Sequence, residues 1–143
     1  MALDLSVANI VVTLAVPGLV SLTVLQGYAP DDIYAIEAAD TGETMMGLDG
    51  ILSAGYVPVP RVIIFKQMAN SPTQQFFDNW GAGEDLARQK FPAFGNIIYP
   101  GLFKQAILQT GILRAREFLP NAAKLLQPQT FRVEWQSCQV QGL

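Results

Sequence analysis

Between residues 40 and 60 the backbone is interrupted by Gly42, Gly47, Gly50, Gly55, Pro58 and Pro60. Glycine weakens a helix interior and proline breaks it, so this spacing forbids a long helix. The segment is therefore an extended loop or a long hairpin, with Asp49-Gly50 suited to a tight turn. It also carries Met45, Met46, Leu48, Ile51 and Leu52, which is unusually apolar for a connection. A monomer gains nothing by exposing these side chains. Burial against another subunit would remove them from water, and methionine adapts well to such surfaces. Glu43, Met45, Met46, Leu48, Asp49, Ile51 and Leu52 are accordingly the candidate inter-subunit contact.

The rest of the chain reads mostly as strands. Asn9 to Val16 is rich in β-branched residues and is followed by Pro17-Gly18, which fits a type II turn. A second strand from about Leu19 to Gln26 completes a hairpin. Tyr28 to Asp32 is a loop, and Ile33 to Ala38 a third strand candidate. Arg61 to Lys66 is a strand buried on at least one face. Ser71-Pro72-Thr73-Gln74 then signals a helix start. Serine caps the first turn, proline takes the first helical position, and glutamine three residues on returns a hydrogen bond to the cap. The helix runs from Pro72 to about Trp80, with Phe76, Phe77 and Trp80 on one core-facing side. Gly81-Ala82-Gly83 interrupts it, and Glu84 to Lys90 adds a turn or two. A short strand follows at Gly95–Tyr99 and a longer one at Lys104–Phe118, with Gly111 marking a bulge or bend. Residues 120–129 form a polar, proline-bounded loop. The final strand alternates Phe131, Val133 and Trp135 with Arg132, Glu134 and Gln136, placing Trp135 in the core. The tally is a single mainly β domain over residues 1–143: an antiparallel sandwich or barrel with one short helix packed on it.

Composition excludes more than it identifies. The 143 residues contain no histidine and one cysteine, Cys138. That rules out an internal disulfide, Ser-His-Asp and Cys-His catalysis within one chain, and the usual zinc site. A net charge of −3 argues against non-specific nucleic-acid binding. Half the residues are hydrophobic and 15% charged, against about 25% charged in an average soluble domain. So little charge points to more apolar surface than one small core holds, with partner subunits as its destination. The N-terminus lacks a signal peptide's basic region, and Ile10 to Leu25 is too short and broken for a membrane helix, so a cytosolic origin is expected.

Each chemical candidate meets a plainer alternative. Gly81-Ala82-Gly83 lacks the strand before it that a phosphate loop needs. Asp31-Asp32, adjacent in an extended segment, point apart and suit a solvated loop better than a metal site. Cys138 has no histidine base and reads as an inert, half-buried thiol. Phe76, Phe77 and Trp80 read as core rather than as a base-stacking platform. Lys124 with the arginines at 114, 116 and 132 suits a solvated or inter-subunit face. No catalytic, cofactor or metal residue is expected. The pattern is that of an assembly subunit.

The order of elements resembles the tail tube proteins of contractile-tailed bacteriophages, and more distantly the haemolysin-coregulated tube protein of type VI secretion. Gly47-Leu48-Asp49-Gly50, the strand-to-helix junction from Ile63 to Pro72, and the strand Phe131-Arg-Val-Glu-Trp135 carry the resemblance. It implies a structural virion protein, made in the bacterial cytoplasm. Six copies would close into a ring, and rings would stack into a tube inside a sheath. Its partners would be further copies of itself, the sheath protein, baseplate and terminator proteins, and genomic DNA passing through the lumen without specific binding; no membrane is implied. A tube-end ring, such as a baseplate initiator or terminator, and a small-ligand-binding β-barrel are the rivals.

Charge is segregated along the chain, −7 before residue 61 and +4 after it. Stacked identical subunits need two complementary faces. The expectation is that Glu43 and Asp49 meet Arg88, Lys90 or Lys124 of a neighbouring copy.

Overall fold

The computed structural model describes residues 10–25 and 34–142. The expected loop at Tyr28–Asp32, the Asp31-Asp32 pair, and the expected strand ends at Asn9, Gln26 and Ile33 lie outside these residues. Nine strands and one helix follow in order: β1 (Val11–Val16), β2 (Val20–Val24), β3 (Tyr34–Ile36), β4 (Gly42–Met46), β5 (Leu52–Tyr56), β6 (Arg61–Gln67), α1 (Gln74–Ala87), β7 (Ala93–Tyr99), β8 (Lys104–Arg116) and β9 (Gln129–Gly142). Seven strands form one antiparallel sheet in the order β2-β1-β7-β8-β9-β6-β3, while β4 and β5 form a separate two-stranded ribbon.

Alternation of side chains selects the buried face. Val12, Leu14 and Val16 of β1, Ile63 and Phe65 of β6, and Phe131, Val133 and Trp135 of β9 share one core cluster. Strands at both ends of the seven-strand order feed that single core, as they do when a sheet curls toward a barrel. The β1–β2 turn has Gly18 at φ +88° and a Leu19 N–H to Val16 carbonyl bond of 3.1 Å, as a Pro-Gly type II turn requires.

The helix lies against the buried face of the sheet. Phe77 stacks on Phe131 with ring centres 4.2 Å apart and planes within 9°, and Phe76 meets Phe77 edge-on at 5.3 Å. Phe76, Phe77 and Trp80 are all buried, as is Trp135.

Three local expectations are corrected. First, Ser71 and Gln74 do not form a capping box. Thr73 is the N-cap and makes no side-chain cap bond. The Ser71 N–H is taken by the Met68 carbonyl, and its hydroxyl donates to Gln67 Oε1 at 2.7 Å, where Thr73 Oγ1 also donates at 3.0 Å. The Ser71 oxygen is still an acceptor and takes the Thr73 N–H at 3.3 Å, while the Gln74 N–H goes to the Ser71 carbonyl at 3.2 Å, so the reciprocal Ser71–Gln74 pair is not made. Gln74 is buried among the Met68 and Ala69 carbonyls and the Gln129 side chain, away from the backbone it was to cap.

Second, α1 runs through Gly81-Ala82-Gly83 without a break. The glycines serve close approach instead. A Cβ at Gly81 would run into the Arg116 guanidinium, and one at Gly83 into the Leu19 side chain. Packing outweighs the roughly 1 kcal/mol cost of each helical glycine. The helix stops at Arg88, whose left-handed φ of 54° sends its N–H back to the Glu84 carbonyl at 2.8 Å.

Third, the β8 irregularity sits beside Gly111 rather than on it. The β7–β8 register shifts between Ala93 and Gly95, opposite the span from Leu108 to Gly111, and Thr110 takes φ +52°. Gly111 itself faces Trp135 across the ladder, and a Cβ there would lie 2.5 Å from the indole ring.

Two stability outcomes follow. Trp80→Ala is expected to cost about 3–5 kcal/mol, because it empties a fully buried indole site. Gly111→Ala is expected to cost about 1–3 kcal/mol by forcing a rigid ring to shift. Urea unfolding followed by circular dichroism measures both. An unchanged midpoint for either variant would contradict the packing described.

Candidate functional site

The β4–β5 ribbon is a complete hairpin, with Gly42 opposite Tyr56 and Met46 opposite Leu52. Its turn is built from Gly47-Leu48-Asp49-Gly50. The Gly50 N–H donates to the Gly47 carbonyl at 3.0 Å, and Gly50 takes φ +84°. The Gly47 N–H then donates to the Ile51 carbonyl at 2.9 Å, closing a three-residue connection with a left-handed glycine. Asp49 Oδ1 accepts the Ile51 N–H at 3.1 Å, so this acid is partly spent on holding the turn. Glu43 is exposed on β4.

Among the described residues, the hairpin packs on no other element to any extent. Every residue of both strands is exposed, including Met45 at 76%, Met46 at 62%, Ile51 at 63% and Leu52 at 58%, and Leu48 at the tip is fully open. The seven candidate contact residues therefore sit together on one projecting ribbon.

A second apolar surface lies at the opposite end of the sheet. β6 starts at Arg61, opposite Trp135, and ends at Gln67, opposite Gln129. β3 runs antiparallel beside it, so both connections to the hairpin leave from the Arg61 end. The 117–128 connection joins β8 to β9 at the Gln129 end. The seven residues of β6 separate the two ends by about 20 Å. Residues 120–129 were expected to be a polar loop. Within it Leu125 and Leu126 are large, apolar and exposed, and so are Phe118 and Leu119 just before it, where the strand expected to reach Phe118 stops at Arg116. The loop is held in shape by the Gln127 N–H to Asn121 carbonyl bond of 2.8 Å and an Ala122–Leu126 bridge, with Lys124 and Leu125 at its tip. Sequence inspection weighted its prolines and amides; the clustered Phe-Leu and Leu-Leu pairs were the signal it passed over.

Charges are largely matched within the subunit. Glu37 and Arg132 form a two-point pair at 2.9 and 3.4 Å, Arg114 meets Glu134 at 2.9 Å, and Arg116 meets Asp85 at 3.3 Å. The arginines at 114, 116 and 132 are thus committed at home. Lys90 is too, which corrects its placement among the inter-subunit bases. Its Nζ donates to the buried Glu84 at 3.2 Å and to the Leu113 carbonyl at 2.9 Å. Glu84 also accepts the Phe91 N–H at 3.0 Å, and Trp80 Nε1 donates to the Phe91 carbonyl at 3.0 Å, so these bonds tie the end of α1 to the sheet. Arg88 and Lys124 remain exposed.

Other chemistry is sparse. Among the described residues no group of three or more Cys, Asp or Glu side chains is placed to hold a metal. No helix there is long and apolar enough to cross a membrane. An apolar groove of about 440 Å³ opens between Ile36, Ile63, Ile97, Leu108, Cys138 and Val140. Arg61, which also lines it, has its Nη1 buried without a hydrogen-bond partner. Burial pushes the Cys138 thiol up from its ordinary range, and nearby Arg61 offsets this in part.

Comparison with known proteins then places the chain. Residues 3–139 match the family described as tail fiber protein gp32. The chain belongs to that family. Membership makes it a structural, tail-associated protein. No curated protein matches it. Among solved structures it is similar to a chain of the anti-feeding prophage baseplate, 6-fold symmetrised, at 14% identity and a TM-score of 0.57, covering 99% of this chain and 98% of that one. It is similar to a chain of the anti-feeding prophage tube-terminating cap at 7% identity and a TM-score of 0.58, covering 100% and 95%. A third likeness, at 11% identity and a TM-score of 0.55, covers 98% of this chain and 93% of one in the extended sheath-tube complex of an extracellular contractile injection system. At these identities the likeness is one of fold, and it spans the whole subunit in each case.

Cys138 supplies a test of the groove. A raised thiol holds its proton as pH rises, so at pH 8 the folded protein should react with a chromogenic disulfide reagent well below the rate of the urea-unfolded chain. Equal rates would mean an open, ordinary thiol.

Proposed function

We propose that this family member is a ring-forming subunit of a contractile tail, with six copies per ring and rings stacking into the inner tube through which DNA passes. The observation that carries this reading is the projecting hairpin. Its two strands, exposed along their full length and rich in methionine and leucine, are stable in water only when covered. Support also comes from likeness in fold to chains from baseplate, cap and sheath-tube assemblies. On this reading the chain's partners are other copies of itself, a sheath, and baseplate or terminator proteins, and its place is the virion tail. An overall charge of −3 suits a conduit, since a lumen that attracted phosphates would retain DNA.

A tube-end ring is the second reading, favoured by the likeness to chains of a baseplate and of a terminating cap. The tube is preferred because exposed apolar segments occupy both ends of the strand axis, and an end piece needs only one stacking face. The 440 Å³ groove is where the third reading, a small-ligand-binding barrel, would place its ligand.

Size-exclusion chromatography with negative-stain microscopy of the purified chain separates these. Stacked rings or filaments are expected; discrete single rings indicate the end piece, and a stable monomer the ligand-binding barrel. Deletion of residues 43–52 should leave the melting temperature nearly unchanged and abolish stacking, since no other described element packs on the hairpin to any extent. A deletion variant that still forms tubes of normal length would remove the hairpin from the contact.

A further inference from the structure

We infer that the tip of the 117–128 loop is the surface that receives the β4–β5 hairpin of the next copy, with Leu125 seated on the hairpin and Lys124 paired to Glu43. This rests on the stacked-ring reading and names the partner surface within it.

Three observations converge. The first is position. The hairpin leaves the sheet at the Arg61 end of β6, and the loop closes the Gln129 end. Copies translated along the strand direction therefore bring the loop of one against the hairpin of the next. Such a head-to-tail contact repeats without limit.

The second is shape and polarity. Along the hairpin runs a hollow of about 440 Å³ lined by Glu43, Thr44, Met45, Ser53, Ala54 and Gly55. Glu43 and Met45 share one face of the ribbon with their cross-strand partners Gly55 and Ser53, which add little side chain, so Met45 and Glu43 are the large groups on that face. That accepts one branched apolar side chain beside the aliphatic stem of a lysine. The loop tip presents such a pair, with Leu125 79% exposed next to Lys124.

The third is charge. Residues 42–56 contain Glu43 and Asp49 and no base, whereas the 117–128 loop carries Lys124 at its tip and a single acid, Glu117, at its base, where Glu117 Oε1 accepts the Thr130 hydroxyl at 3.2 Å. Asp49 already accepts a turn hydrogen bond, while among the described residues no side-chain hydrogen bond or ion pair engages Glu43. The other candidate bases fit less well. Lys90 is held by Glu84, and Arg88 ends a helix whose exposed neighbours are not part of the loop.

The test uses the full chain with Cys138→Ser, so that introduced thiols are the only ones. Met45→Cys and Leu125→Cys are made in separate chains, mixed, assembled and treated with a short bismaleimide. Both positions are exposed, so folding is unaffected. The mixture is expected to give a cross-linked heterodimer, and a chain carrying both substitutions a ladder of many copies. Neither single variant should exceed background. Lys124→Glu should reduce ladder yield about tenfold, and adding Glu43→Lys should restore most of it. Rings or tubes that form without a 45–125 cross-link overturn the loop assignment and leave the ring reading standing. Cross-links of 45 to 45 or 125 to 125 mean a face-to-face contact and also overturn it. A monodisperse monomer with no cross-link overturns both.

Discussion

The stack of Phe77 on Phe131 is the contact around which the fold is organised. One helix must cover the buried face of a seven-stranded sheet, and it does so by placing three aromatic side chains where β6 and β9 curve toward it. Bringing α1 that close leaves no room for side chains on the helix surface under Arg116 and Leu19, which is why Gly81 and Gly83 occur in mid-helix. The same closeness brings Glu84 within reach of the Phe91 N–H and Lys90, and Trp80 within reach of the Phe91 carbonyl. The helix end is thereby fastened to the start of β7, and the crossover from one side of the sheet to the other becomes rigid.

A core closed in this way accounts for the distribution of what is left over. The helix and the curved sheet use one face of each strand. The hairpin and the 117–128 loop leave the sheet at its two ends, where no other described element packs on them to any extent. Charge does not compensate, because most of the arginines are already paired inside the subunit. The residual surface is therefore apolar, lightly charged and concentrated at opposite ends. That geometry suits a building block whose exposed ends are each other's partners, and membership of a tail-protein family agrees with it.

Much of this was legible along the chain. Alternating β-branched and aromatic residues marked the strands, Pro17-Gly18 the first turn, and the glycine and proline spacing of residues 40–60 the hairpin. These signals are local: each depends on backbone sterics or on a period of two, and neighbours in sequence suffice to express it. The exposure of the hairpin residues was legible for the same reason, since methionine and leucine in a turn-rich ribbon have no inner face to hide in.

Tertiary structure decided the rest, wherever the deciding partner was distant in sequence. Ser71 carries every mark of the cap of a capping box, but the helix starts at Thr73, and the Ser71 hydroxyl donates to Gln67 at the end of β6 while accepting the Thr73 N–H. Gly81-Ala82-Gly83 has the composition of a helix stop, but Arg116 and Leu19 press on the glycines and the helix continues. Lys90 looked free until the fold brought Glu84 and the Leu113 carbonyl to it. Residues 120–129 looked polar, but Leu125 and Leu126 within them, with Phe118 and Leu119 just before, stand exposed. Backbone preferences operate over a few residues and are written into the sequence. Competition for a hydroxyl, space for a Cβ, or cover for a leucine is settled only when the sheet closes and sets distant residues side by side.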